Sequence, residues 1–241
     1  MQVRDLLLIP LTEKENLVIA SDNSGSIGMK DGDEVQVPYK TVAYYSFRVA
    51  VMECISAGAE PFAVVVQNFC GDEVWAELLQ GIEKGMRDLG KMDIKITGST
   101  ESNFALNQSA IGISVLAKRM ANKKIDTLTY DTQTCIAVIG SPLVGQEVMA
   151  KEEQVVPMSV FRQVCALEGV VTIPVGSKGI LHELNTLFEN TSFTEENVDS
   201  TLPLLKSSGP STCFVAVFPK EILHKIKAVC SGYFHEINYT G

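Results

Sequence analysis

The chain carries few of the features that announce a catalytic class. Its six cysteines (Cys54, Cys70, Cys135, Cys165, Cys213 and Cys230) form no C-x-x-C pair, which argues against a zinc ribbon or a dithiol redox centre. Most lie inside apolar stretches such as Thr212-Cys213-Phe214-Val215, the pattern of reduced core thiols in a cytoplasmic protein. The histidines His182, His224 and His235 are far apart and read as satisfied or solvated side chains. No G-x-S-x-G elbow, G-x-x-x-x-G-K-[ST] loop or H-E-x-x-H pair is present, which weighs against serine hydrolase, P-loop and zincin chemistry. Positive charge is scarce too: 20 Lys and Arg face 29 Asp and Glu, a net charge of −9. With no basic cluster beyond Lys118-Arg119 and Lys123-Lys124, a nucleic-acid partner is not expected. An anionic substrate therefore needs a metal ion or a nest of amides. No apolar run reaches bilayer-spanning length, and charges at Arg4 and Asp5 do not suit a signal peptide. A soluble, cytoplasmic protein is expected.

What is present is globular. The 241 residues are 46% apolar and 20% charged, enough for one large domain or two modest ones. Val3–Leu11 and Leu17–Ala20 read as strands, followed by a polar loop from Ser21 to Pro38. The segment 41–57 reads as a helix stopped by Gly58, and 61–69 as a buried strand. In 72–89, Trp75, Leu78, Leu79, Ile82, Met86 and Leu89 recur at helical spacing, predicting an amphipathic helix. Strands are expected at 93–96, leading into a Thr97–Glu101 turn, and at 109–116. The second part reads as strands at 135–139, 170–175, 213–218 and 233–238, with helices near 157–167, after Gly179 and after Pro219. The expected fold class is α/β (α+β), a sheet with helices on one face followed by a second α/β domain. The expected domains are 1–120 and 134–241, joined through polar residues.

Three segments combine a strand end, small residues and an acid or hydroxyl. In Ser21-Asp22-Asn23-Ser24-Gly25-Ser26-Ile27-Gly28, glycines let amides approach an anion while Asp22 meets its divalent cation. Thr97-Gly98-Ser99-Thr100-Glu101 offers hydroxyls at Ser99 and Thr100 and a carboxylate at Glu101. Gly176-Ser177-Lys178-Gly179 offers the Ser177 hydroxyl. Each segment alone also reads as an ordinary turn or cap. Glu53 is the sole acid on its half of the helix, either a solvated glutamate or a metal ligand beneath the Asp22 loop. Lys178 stands at a helix start, where a cation is unfavourable with the dipole. It is either an idle surface lysine or the sign of an anion nearby.

Taken in order, these segments resemble the aminoimidazole ribonucleotide synthetase superfamily, which includes thiamine monophosphate kinase, selenophosphate synthetase and a hydrogenase maturation factor. Ser21-Asp22-Asn23-Ser24-Gly25 is similar to its first metal-binding Asp and glycine-containing loop. Met52-Glu53-Cys54-Ile55-Ser56-Ala57-Gly58-Ala59-Glu60-Pro61 resembles its Asn-Asp helix ending in Gly-Ala-x-Pro. Thr97–Glu101 resembles its Gly-Gly-Asp/Glu-Thr turn, and 175–181 its Val-Ser-Asp-Gly-Leu segment. Glu53 stands where the superfamily usually has Asp, Ser99 replaces an acid with Glu101 two positions on, and Lys178 replaces another. The resemblance implies two α/β domains, a homodimer whose first-domain sheets pair into a barrel, and phosphoryl transfer from ATP with Mg2+. It implies Asp22, Glu53 and Glu101 as metal ligands, and Asn23, Ser24, Gly25, Gly98, Ser99, Thr100 and Ser177 around the nucleotide, with Asp22 and Lys178 at the reacting phosphate. The Asp-Asn-Ser-Gly-x-Ile-Gly loop and Met-Glu helix look most like the α-ribazole kinase branch, which acts on the 5′-hydroxyl of a nucleoside-like substrate in cobalamin lower-ligand salvage. The alternatives are another ATP-dependent phosphoryl-transfer or ligation enzyme of this superfamily, or a non-catalytic ATP-binding regulator.

Overall fold

A computed structural model describes residues 2–3, 5–122 and 127–241; the lysines at 123 and 124, noted above for their charge, lie outside them. The chain divides into two units, 1–124 and 125–241.

The first unit contains β1 (Gln2–Val3), β2 (Leu6–Pro10), β3 (Glu15–Gly25), β4 (Ile27–Gly28), β5 (Val35–Gln36), α1 (Tyr39–Ser56), β6 (Glu60–Asn68), α2 (Trp75–Leu89), β7 (Lys95–Thr100) and β8 (Ala110–Met120). Its main sheet has the order β1-β2-β3-β8-β6-β7. The pair β6–β7 is parallel, with α2 as the crossover, and the other pairs are antiparallel. Alternation along the strands separates two faces. Leu6, Val18, Ala20, Ile113, Val115, Val64 and Val66 are buried on one of them. Phe47, Ala50, Val51 and Cys54 of α1 are fully buried, and this helix packs on β3, β8 and β6, with α2 packed on α1. The other face carries Leu7, Ile9, Leu17, Ile19 and Leu116 as register neighbours, and Leu7 and Ile9 remain 44% and 38% exposed. α1 stops where expected: Gly58 adopts φ +72°, with Ala59 N–H donating to Cys54 C=O and Gly58 N–H to Ile55 C=O. This is a Schellman-type ending that a left-handed glycine permits.

Two expectations need correction. The strand read as Leu17–Ala20 runs on to Gly25, because β8 supplies partners for every added residue, from Ser21↔Ser114 to Gly25↔Ala110. The Ser21 and Ser114 hydroxyls lie 2.8 Å apart across that ladder. Likewise the residues expected to turn at Thr97–Thr100 continue β7 beside β6. In both cases tertiary pairing overrides the turn preference of Ser, Asn, Asp and Gly.

The second unit contains β9 (Thr134–Ile139), α3 (Glu147–Ala150), α4 (Met158–Cys165), β10 (Val171–Pro174), α5 (Ile180–Leu187), β11 (Val198–Asp199), β12 (Phe214–Pro219), α6 (Leu223–Cys230) and β13 (Phe234–Tyr239). Its sheet order is β10-β12-β9-β13-β11, antiparallel throughout. One face joins Ile136, Val138, Val215 and Val217 to Ile180, Leu184 and Leu187 of α5 in a single core. On the other, Phe161 of α4 meets Phe214 edge-on at 5.0 Å between ring centres. Covering both faces explains why 213–218 reads as an unbroken apolar run. Within 190–211, expected as polar loop, the short strand β11 pairs with β13. All six cysteines are free. Burial pushes the Cys54 and Cys165 thiols up to about 12 and Cys230 up to about 11, so these three are unreactive as thiolates.

Candidate active site

The register of the first sheet decides where each candidate side chain goes. Asp22 pairs with Ile113, Ile113 with Val66, and Val66 with Gly98. Asp22 and Gly98 thus occupy one row, three strand spacings or about 14 Å apart. One step along, Ser24, Ile111, Asn68 and Thr100 form the next row. Ser24 and Thr100 share the helix-covered face with Asp22, while Asn23, Gly25 and Ser99 fall on the opposite face, as strand alternation requires.

Asp22 is the candidate with the most unusual environment. Burial beneath α1 pushes its carboxyl up to about 6, against the hydroxyl hydrogen bond from Ser46 and the amide of Asn23. Neither of those donors carries charge. A carboxylate held in this way is desolvated without a countercharge, which suits a group that receives a cation. Glu53 lies on the same helix as Ser46 but seven residues on, about 10 Å along the axis. Glu101 leaves the end of β7, and its Oε1 accepts the amides of Asn103 (2.7 Å) and Phe104 (3.3 Å). Among the described residues, no three His, Cys, Asp or Glu side chains are grouped to hold a metal ion. Asp22, Glu53 and Glu101 therefore form no closed protein cage. Asp22 alone still fits magnesium in a nucleotide site, because that ion takes one or two carboxylates and completes its shell with phosphate oxygens and water.

Gly98 is required by its surroundings: a Cβ there would lie 2.2 Å from the Val66 carbonyl oxygen and 2.7 Å from the Trp75 ring. Thr100 is engaged by Asn68, a fully buried residue whose Nδ2 donates to Thr100 Oγ1 (3.1 Å) and to the Gly71 carbonyl (2.8 Å). Asn68 Oδ1 in turn accepts the Cys70 amide (2.8 Å). In the second unit, Ser177 and Lys178 are exposed at the end of β10. The adjoining Gly176 amide donates to Glu183 Oε1 (3.3 Å), and Glu183 is only 9% exposed.

A cluster missed by sequence reasoning lies beside the Asp22 strand. The Asp33 carboxylate accepts the Ser109 amide and hydroxyl, each at 2.6 Å, and the Lys30 amide at 2.9 Å. Tyr39 Oη lies 3.0 Å from the same Ser109 hydroxyl. Burial works to raise the Asp33 pKa, but these hydrogen bonds outweigh it and hold the carboxyl below its ordinary value. The cluster ties the 26–37 segment to the start of β8. In sequence, Lys30-Asp31-Gly32-Asp33 reads as nothing more than a turn, and Ser109 lies 76 residues away from Asp33.

No protein-family model matches the chain, and no curated protein matches it significantly. Solved structures do. Thiamine monophosphate kinase from Aquifex aeolicus superposes with a TM-score of 0.64 at 11% identity, covering 99% of this chain and 89% of that one. Hydrogenase maturation protein HypE in complex with ATP gives 0.60 at 10% identity, covering 92% and 76%. PurL from T. maritima, complexed with AMPPCP, gives 0.58 at 11% identity, covering 96% of this chain, which spans only 42% of the PurL chain. At such identities the likeness concerns the fold. The fold is similar to that of these three proteins.

Proposed function

We propose that this chain is an ATP- and magnesium-dependent phosphotransferase acting on a hydroxyl of a nucleoside-like molecule, with α-ribazole as the acceptor. The observation that carries the reading is Asp22, a carboxylate desolvated under α1 with no countercharge among the groups that set its pKa. Support for the nucleotide comes from solved structures of the same fold, one named as a kinase and others complexed with ATP or AMPPCP. In this reading Asp22 holds magnesium, with Glu53 and Glu101 as the further acids available. Magnesium supplies charge neutralisation on the phosphates. Of the residues expected around the nucleotide, Ser24, Gly98 and Thr100 share the row or face of Asp22 and orient the nucleotide, while Asn23, Gly25 and Ser99 lie on the opposite face and take no part.

The test is incubation with Mg-ATP and α-ribazole and separation of products by mass. A species heavier by one phosphoryl group, absent without ATP, is expected. ATP binding without any product removes the assignment to α-ribazole. It then favours the second reading, a non-catalytic ATP-binding regulator, in keeping with Ser99 and Lys178 standing where the resembled motifs carry acids.

The same reading includes a homodimer built on the face of the first sheet opposite α1. Leu7, Ile9, Leu17, Ile19 and Leu116 form an apolar strip there, and Lys118 Nζ lies 5.9 Å from the ring centre of Phe62 at its margin. A partly exposed strip of this kind is a candidate association surface. Ile9→Asp is expected to shift the mass in sedimentation equilibrium from dimer to monomer. A parent protein that sediments as a monomer at micromolar concentration removes the dimer.

A further inference from the structure

At the carboxyl ends of β6 and β7, three loops surround a cleft of about 750 Å3. They are the segments 29–32, 69–73 and 101–107. The volume is that of a small-molecule site. Its walls include four large apolar side chains left unusually open to solvent: Met29 (57% exposed), Phe69 (41%), Phe104 (77%) and Leu106 (42%). Exposed apolar side chains converging on one concavity mark a candidate ligand-binding surface.

The charge around the cleft is one-sided. Asp31, Asp72, Glu73 and Glu101 line it, and Lys30 is the sole cation among the described lining residues. Lys30 is already committed as a strap. Its Nζ donates to the Leu106 carbonyl (2.9 Å) and the Phe69 carbonyl (3.3 Å), while its amide donates to Asp33 (2.9 Å). One side chain thus holds all three loops together, and Glu101 fixes the loop carrying Phe104 by accepting the two amide hydrogen bonds described above. The cleft is preformed, mixes apolar with polar walls and is negative in field. A ligand bearing phosphate meets four carboxylates there, which repel it; a flat ring finds Phe69 and Phe104 to lie against, and hydroxyl groups find acceptors.

We propose that this cleft is the binding site for the phosphoryl acceptor, and that it selects an uncharged, hydroxyl-bearing molecule with a flat aromatic ring over its phosphorylated counterpart. The proposal rests on the phosphotransferase reading for the word acceptor; the binding preference stands on the cleft alone. Phe104 receives the ring, the four carboxylates select against phosphate, and Lys30 is a positioning residue that keeps the loops in place.

The test measures binding without ATP, so that failure of the kinase reading is seen separately. α-Ribazole and uridine, each with and without a 5′-phosphate, are titrated calorimetrically into the parent protein, Phe104→Ala and Glu73→Lys. At least one nucleoside is expected to bind, its 5′-phosphate at least tenfold more weakly. Phe104→Ala is expected to lose at least tenfold of nucleoside affinity while the protein stays folded, since Phe104 is an exposed loop residue. Glu73→Lys is expected to narrow the gap between nucleoside and nucleotide. Absence of binding by either nucleoside overturns the proposal, as does nucleoside affinity that Phe104→Ala leaves intact. Binding that follows the expected pattern with no product from Mg-ATP sinks the kinase reading and leaves the cleft standing.

Discussion

Asp22→Asn is expected to make the protein more stable at neutral pH and inactive with Mg-ATP. The folded state raises the Asp22 pKa from 3.8 to about 6, so ionising this carboxyl opposes folding. Stability is fully present below the unfolded-state value and is lost as pH rises through about 6. A shift of this size corresponds to roughly 3 kcal/mol, and partial solvent access lowers the expected gain to about 1–3 kcal/mol. Urea unfolding between pH 4 and 8 should show parent and variant nearly equal at the acid end. Their difference should open between pH 4 and 6. Magnesium with ATP should then stabilise the parent and leave the variant unmoved. Equal stability of the two proteins at pH 7.5 would show that the carboxylate is not desolvated, and turnover by the variant would remove Asp22 from the chemistry.

The opposite sign is expected at Asp33. Its carboxyl is held below the ordinary value, so its contribution is present above the unfolded-state pKa and lost as pH falls through the folded one. Asp33→Ala removes the acceptor for the Ser109 amide and hydroxyl and the Lys30 amide. It leaves the Ser109 groups buried, since Ser109 is 2% exposed. With charged hydrogen bonds at about 1.5–3 kcal/mol each and part of the loss recovered by water, a cost of about 3–4 kcal/mol at pH 7 is expected. The loss should shrink on acidification, where the parent itself forfeits the interaction. Chemical denaturation at pH 7 and pH 3.5 measures both. A variant within 0.5 kcal/mol of the parent, a margin typical of neutral surface changes, would mean that the cluster does not anchor the 26–37 segment.

The two aspartates show what the sequence makes legible and what it hides. Local signals are enough for α2, whose apolar stripe Leu78, Ile82, Met86 and Leu89 is buried, and for the all-buried run 213–218. They are enough to single out Asp22, because an acid beside small residues after an apolar strand is a recognisable pattern. They do not reveal that Asp22 lies inside a strand, since its partner Ile113 is 91 positions away and turn-forming residues surround it. Asp33 is hidden for the same reason. Nothing near it in sequence distinguishes it from Asp31, and only the arrival of Ser109 gives it a task. Glu101 shows the limit from the other side: its residue type suggested metal ligation, while its nearest bonds shape the loop that presents Phe104.

Because β3 and β8 pair without interruption over eleven residues, odd and even positions along β3 act as an address. A chain that gained one residue between Val18 and Asp22, with Val18 still opposite Ala117, would deliver Ser21 to the underside of α1 and send Asp22 to the opposite face. The turn spanning 11–14 between β2 and β3 lies outside that ladder, so a residue added there leaves the β3–β8 addresses unchanged. Length variation among descendants of this sequence should therefore accumulate in that turn and be purged from the strand, although the strand contains the residues that look most like a loop.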